Sequence, residues 1–369
     1  MTSDPTLRAS PRPGSVLVTG GAGFIGCALA ERLAPLADRW VVLDNLHPQV
    51  HAVSERPAAL HDAAQLVVGD VTDPAAWDSL LTGFRPDVVV HLAAETGTAQ
   101  SLSESSRHGR VNVVGTTELL DGLTRAGVVP AQLVLTSSRA VYGEGTWRRA
   151  DGSRFQPGAR THAQLAAGLW DFPDAEHLPN SAAETVPAPS SVYGSTKLAQ
   201  EHILSSWAGS HDTSLSVLRL QNVYGVGQSL TNPYTGIVSL FSQMARGGRS
   251  IPLYEDGEIT RDFVFIDDVA DALVAAIASP PERFRLVDVG TGTRTTIRDL
   301  ARTVADFHGA PAPHVTGQFR DGDVRHAACD ITETLGALDW SPRWGLADGI
   351  AALQGWIAQQ AAAEAPTSG

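Results

Sequence analysis

The sequence predicts an α/β protein: a doubly wound parallel sheet with a smaller mixed α/β lobe. Three observations predict it. Short apolar runs alternate with helical stretches along the first half of the chain. Those runs are apolar at nearly every residue rather than every second one, as strands buried on both faces require. The first run opens into a glycine-rich turn that leads into a helix, the arrangement expected at the ligand end of such a sheet.

Ser15-Val-Leu-Val-Thr19, Trp40-Val-Val-Leu-Asp44, Gln65-Leu-Val-Val-Gly69, Asp87-Val-Val-Val-His91 and Gln132-Leu-Val-Leu-Thr136 read as successive strands, and Leu215-Ser-Val-Leu-Arg219 as a sixth. Helical stretches between them complete βαβ units. Residues 143–188 break the rhythm; the stretch is rich in Gly, Pro and polar residues and holds Trp147 and Trp170. A segment of that length without a period is functional or an insertion, and it reads as a subdomain or lid near the site. From about Tyr224 the pattern is mixed, with a short strand at Phe284-Arg-Leu-Val-Asp288 and helices near 296–308 and 346–358. The expected division is a first domain over 14–223 carrying the insert, a mainly substrate-binding lobe over 224–358 interleaved with it, and frayed ends at 1–13 and 359–369.

Net charge is −13 and no Lys/Arg cluster forms a nucleic-acid patch. No apolar run reaches membrane-spanning length, and the polar, Pro-rich N-terminal stretch has no apolar signal core, so no membrane partner and a cytoplasmic location are expected. The two cysteines, Cys27 and Cys329, offer neither a disulfide framework nor metal-ligand spacing, so no metal is expected and a reducing compartment fits. Of the 27 Lys plus Arg residues, Lys197 is the one lysine. Arg replaces Lys where a solvated cation suffices, but not where a compact ammonium with a tunable pKa is needed. Lys197 therefore calls for a chemical explanation.

The first strand runs into Gly20-Gly-Ala-Gly23-Phe24-Ile25-Gly26. Glycines at these spacings allow a tight turn, close approach of backbone to a pyrophosphate, and close helix–strand packing. The helix N-terminus adds unpaired N–H groups and a positive dipole end. Asp44, at the end of the second strand, suits an adenosine ribose diol and would repel a 2′-phosphate, which favours NAD over NADP. Asp70, followed by Val71 after the third strand, is placed for the adenine edge. Together these predict a Rossmann-type cofactor site for NAD.

Ser191-Val-Tyr193-Gly-Ser-Thr-Lys197 carries the sharpest chemistry. Residues four apart share a helix face. A neighbouring ammonium and a cationic nicotinamide would lower the tyrosine pKa from its usual value near ~10 and make Tyr193 a general base for a sugar hydroxyl. Lys197 can also reach the nicotinamide ribose. The fifth strand ends in Thr136-Ser137-Ser138, where a hydroxyl can hydrogen-bond the reacting oxygen; Ser138 is the choice over Ser137.

On these residues the chain resembles the extended short-chain dehydrogenase/reductase family, in its nucleotide-sugar epimerase/dehydratase branch. The resemblance covers roughly residues 15–358. It adds Asp44-Asn45, Gly69-Asp70, His91-Leu92-Ala93-Ala94, Val141-Tyr142-Gly143, Arg219 to Gly225, Arg261-Asp-Phe-Val264 with Asp267-Asp268, and Gly290-Thr-Gly292. It implies that Phe24, Ile25, Asn45, Val71, Leu92, Ala93 and Ala94 line the cofactor. It also implies that Asn222 contacts the sugar diphosphate, that Arg261 meets the pyrophosphate, and that Arg320 and, with less weight, Arg325 hold the nucleotide half. The expected partner is a dTDP- or UDP-linked hexose, and the family's habit implies a homodimer through two helices from each subunit.

In the 4,6-dehydratases of this branch, Asp and Glu follow the residue equivalent to Ser138. Here Arg139 and Ala140 stand there. Without those carboxylates water elimination lacks its acid and base, which argues against a dehydratase; a 4-epimerase needs only the base, the hydroxyl donor and a tightly held NAD. Gly143-Glu-Gly145 with the long insert, and Leu230-Thr-Asn232-Pro-Tyr-Thr-Gly236, look most like dTDP-L-rhamnose 4-epimerases. No cysteine lies between Gly143 and Ala188, so a metal-stapled insert is excluded. Ala327 occupies a position that is bulky in some hexose epimerases, and a small residue there leaves room without naming the sugar. The readings kept open are a UDP-glucose/UDP-galactose 4-epimerase, a nucleotide-sugar 4-ketoreductase, and a non-catalytic NAD-sensing protein.

Overall fold

The computed structural model describes residues 14–51, 53–229 and 236–364. The segment 1–13 expected to be frayed, much of the segment Leu230–Gly236 and the last residues of the tail lie outside them. The central sheet consists of β1 (Ser15–Thr19), β2 (Arg39–Asp44), β3 (Gln65–Val68), β4 (Val88–His91), β5 (Gln132–Ser138), β6 (Ser214–Leu220) and β7 (Phe284–Val289). All its pairings are parallel, in the order β7-β6-β5-β4-β1-β2-β3. The strand order reverses between β1 and β4, and a crevice opens there at the carboxyl ends of the strands.

Period-two alternation divides each strand between two helical layers. Val16, Val18, Val42 and Val90 pack with α1 (Phe24–Leu33) and α5 (Ile266–Ala278), while Leu17, Val41, Leu43 and Val89 pack with α2 (Pro74–Gly83), α3 (Gly115–Arg125) and α4 (Val192–Gly209). This explains the continuous apolar runs: both faces of each strand are core. A third cluster joins Phe241, Ile251 and Phe263 to α6 (Ile297–His308) and α7 (Leu346–Glu364) in the second lobe.

Phe284–Val289 departs from expectation. It pairs with β6 as the seventh strand of the main sheet instead of belonging to the second lobe. Its helix α5 packs beside α1 on one face of the sheet. The lobes therefore interleave more deeply than the sequence pattern suggested. The insert is a small antiparallel sheet, with Trp147–Arg149 between Arg154–Phe155 and Ala175–His177, and a short helix at His162–Ala166.

The insert is held by charge. Arg160, whose side chain is 1% exposed, donates to Glu144 at 3.1 Å and to Glu255 at 3.0 Å. Arg325 donates to Glu255 at 2.8 Å and bonds Asp171 and Asp256. Trp147 is buried edge-on to Phe172 at 5.0 Å and His177 at 5.6 Å. Glu255 sits at φ +51, a region that costs a non-glycine residue about 1–2 kcal/mol; two guanidinium groups hold it there.

Candidate active site

Gly20 lies at φ +65, and a Cβ there would sit 2.7 Å from the Ala93 backbone, so only glycine lets β1 turn against the end of β4. Gly23 precedes α1 and lines the cleft, and a Cβ there would lie 3.3 Å from the Gly20 carbonyl oxygen. A Cβ on Gly26 would lie 2.3 Å from the Gly21 carbonyl, so this glycine serves the packing of helix on turn and stands off the cleft. Asp44 accepts from the Ala22 N–H at 3.1 Å and the Leu46 N–H at 2.9 Å, which aims its carboxylate along the cleft wall. Phe24, Ile25, Asn45, Val71, Leu92, Ala93 and Ala94 line the same cleft of about 1160 Å³.

Asp70 is placed otherwise than expected. Its carboxylate accepts from the N–H and hydroxyl of Thr72, both at 2.8 Å, and from Asn45 at 2.9 Å. Burial opposes ionisation, but these bonds outweigh it and hold the group below the usual carboxylate range. Asp70 positions Asn45 and stays out of the cleft lining.

α4 is capped by Ser191, whose hydroxyl accepts from the Gly194 N–H. Tyr193 and Lys197 follow one turn apart and both line the cleft beside Ser138 and Asn222. The Ser138 hydroxyl lies near enough to the Tyr193 phenol to favour its ionised form. Ser137 points away into a buried network: it bonds Glu201, which pairs with Arg219 at 2.7 Å. The Ser137 hydroxyl is thus engaged by Glu201, whereas that of Ser138 is not.

The electrostatics correct one expectation. Burial raises the Tyr193 pKa, and the opposing influences are the Ser138 hydrogen bond and the Arg139 guanidinium. Lys197 is 3% exposed, and burial pushes it down to about 7 against the pull of Glu201. Its ammonium donates to Gln200 at 2.5 Å. Gln200 also bonds Thr116 at 2.8 Å and lies 3.2 Å from His91. Protein groups alone therefore do not lower Tyr193, and Arg139 is the cation that acts on it.

The substrate-side arginines also differ from expectation. Arg261 is 5% exposed and pairs with Asp323 at 3.0 Å. It does not line the cleft. Ala327 is buried on the adjoining strand opposite it. Arg320 is exposed, its guanidinium 5.0 Å over the Tyr254 ring. Arg325 is 1% exposed and committed to Asp171, Glu255 and Asp256, so it is an anchor for the insert and no free ligand for a nucleotide.

Sequence reading noted Arg139 only as a missing carboxylate. In the fold it lines the cleft and donates to Asn222 at 2.6 Å. Gln200 was missed as well; its spacing from Lys197 was visible, but its partner His91 is 109 residues away.

The fold and this cleft belong to a recognised class: the chain is a member of the NAD dependent epimerase/dehydratase family, which matches residues 16–290. It is 61% identical over 345 residues to the dTDP-L-rhamnose 4-epimerase of Burkholderia thailandensis, covering 94% of this chain and 95% of that protein. Among solved structures it is similar to the UDP-glucose 4-epimerase of Thermotoga maritima with UDP-glucose, at TM-score 0.76 and 26% identity, covering 94% of this chain and 99% of that one. It is also similar to the Thermus thermophilus UDP-glucose 4-epimerase in complex with NAD, at TM-score 0.73 and 29% identity, covering 93% and 99%. Among the described residues, no helix is long and apolar enough to cross a membrane.

Proposed function

We propose that the chain is an NAD-dependent dTDP-L-rhamnose 4-epimerase, inverting C4 of a nucleotide-linked 6-deoxyhexose through a transient 4-keto sugar. The observation that carries the reading is the convergence of Ser138, Tyr193 and Lys197 on one cleft, in a chain 61% identical to a protein of that activity. The glycine turn through Gly20 and Gly23 and the Asp44 carboxylate suit NAD, with Phe24, Ile25, Asn45, Val71 and Leu92 to Ala94 along it. NAD, when bound, supplies a hydride acceptor and donor and a cationic ring. Tyr193, as the phenolate, takes the proton of the C4 hydroxyl, and Ser138 donates a hydrogen bond to the same oxygen. Tyr193 returns the proton after the keto sugar presents its other face. Lys197 holds the cofactor ribose, and Asn222 contacts the sugar diphosphate; Arg320 is the remaining candidate for the nucleotide half.

Arg139 and Ala140 offer no carboxylate next to Ser138, which supports epimerisation over elimination. The test is a panel of dTDP-L-rhamnose, dTDP-glucose, UDP-glucose and UDP-GlcNAc read by NMR for C4 inversion with purified protein. Inversion of dTDP-L-rhamnose without net NADH production is expected. Inversion confined to UDP-glucose, or stoichiometric NADH consumption with a keto sugar, would overturn the reading.

We extend it to a homodimer in the cytoplasm. Leu102, 58% exposed, lies with Val113 and Val192 in a shallow hollow beside α4 that a second copy would cover. Both cysteines are free thiols. Sedimentation at micromolar concentration should give twice the chain mass.

A further inference from the structure

Arg139 presents a guanidinium to the cleft and, among the described residues, has no carboxylate paired with it. Its Nε donates to Asn222 Oδ1 at 2.6 Å. The neighbouring acid, Asp323, is paired with Arg261 at 3.0 Å. The turn Arg139–Tyr142 is pressed onto the first turn of α4: a Cβ on Gly194 would lie 2.4 Å from the Ala140 carbonyl oxygen. The residues that follow Arg139 and Tyr193 are thus in backbone contact, and both side chains line the same cleft.

We propose that Arg139 is a positioning residue for the epimerisation, supplying the fixed positive charge that favours the Tyr193 phenolate and turning the Asn222 amide so that its N–H₂ faces the sugar diphosphate. This rests on the reading of Tyr193 as the base. A guanidinium only donates, so the Asn222 carbonyl must face it and the amide nitrogen must face away. A cation in a water-poor cleft acts strongly on a neighbouring phenol. The other groups facing Tyr193 are the Ser138 hydroxyl, the edge-on His108 ring at 6.4 Å, and Lys197 one turn along α4, whose ammonium is turned to Gln200. Arg261 and Asp323 flank Arg139 with opposite signs. Burial and Arg261 push Arg139 down to about 9, so it stays charged at neutral pH.

The test uses the NAD-loaded enzyme. Tyrosinate absorbance of Tyr193 is read as the difference between each protein and the same protein carrying Tyr193→Phe. Arg139→Gln should raise that titration, and the acid limb of kcat with dTDP-L-rhamnose, by about one unit, which is tenfold in the equilibrium. Arg139→Lys keeps the charge and should recover most of the shift. Arg139→Met is the second neutral variant, and retained NAD identifies folded protein. Titrations that coincide in wild type and the neutral variants would overturn the proposal while leaving Tyr193 as the base. A Tyr193→Phe enzyme that still turns over would overturn the reading of Tyr193, and this proposal with it.

Discussion

On the side of the cleft built from β1 and β2, backbone holds the site. The Gly20 N–H donates to the Leu43 carbonyl at 2.8 Å, and Asp44 is aimed by two backbone N–H groups. On the insert side, side-chain charges do the holding. Arg160 and Arg325 share Glu255, and Glu144 accepts from the Arg325 N–H across 181 residues of chain. A turn depends on the conformational freedom of one residue, so it is specified locally. A buried ion network depends on every partner, since removing one leaves an uncompensated charge. The glycine turn of the cleft therefore fails residue by residue, whereas the insert fails as a unit.

Three substitutions bear on that contrast. Tyr193→Phe should lower kcat by up to about 10⁴-fold, the upper range for a general base, while the glycine wall keeps NAD bound; the NMR inversion assay and retained cofactor read the two separately. Arg160→Met leaves Glu144 and Glu255 buried without their shared cation and should destabilise the protein by about 3–5 kcal/mol, read from denaturant midpoints. A loss below about 1 kcal/mol would show that the insert is held by its aromatic contacts instead. Gly20→Ala should weaken NAD binding by calorimetry, with about 1–2 kcal/mol of backbone strain, and leave amide exchange in the insert unchanged.

The smallest effects are those of pH, and they have opposite signs in two places. Asp171 and Asp256 are held below the usual carboxylate range: burial opposes this, but hydrogen bonds from His326 and Arg325 to Asp171, and from Arg325 to Asp256, outweigh it. Their contribution is present above the ordinary carboxylate pKa near ~4 and lost as pH falls through their folded values. Insert amides should exchange faster below about pH 4. Asp288, behind the cleft, accepts from Tyr142 at 2.8 Å. Burial raises it to about 7, against the Tyr142 hydrogen bond and Arg219. Its contribution is complete below the ordinary carboxylate pKa and lost as pH rises through about 7. Asp288→Asn should flatten the stability–pH curve between pH 4 and 7 and leave the acid behaviour of the insert in place.

The cofactor side was legible because its signals are local. The spacing of Gly20, Gly23 and Gly26, an acid ending β2, and Tyr193 four before Lys197 each report a backbone conformation or a helix face. Asp70 and Arg325 were misread for one shared reason. An isolated charge in a sequence invites a ligand, but in the fold Thr72 and Asn45 take up the first, and Asp171, Glu255 and Asp256 the second. Phe284–Val289 was misplaced because a short apolar run does not say which sheet edge it joins.

By itself the sequence determined the parallel sheet, the position of the crevice and the residues that line its cofactor half, through apolar period, glycine spacing and strand ends. Tertiary structure alone decided which charges are spent on one another and which face the cleft. Ion pairing joins residues of arbitrary separation, and desolvation depends on everything packed around them. Lys197 stood out in the sequence as the lone lysine; only the fold turned its ammonium to Gln200 and set Arg139 beside Tyr193.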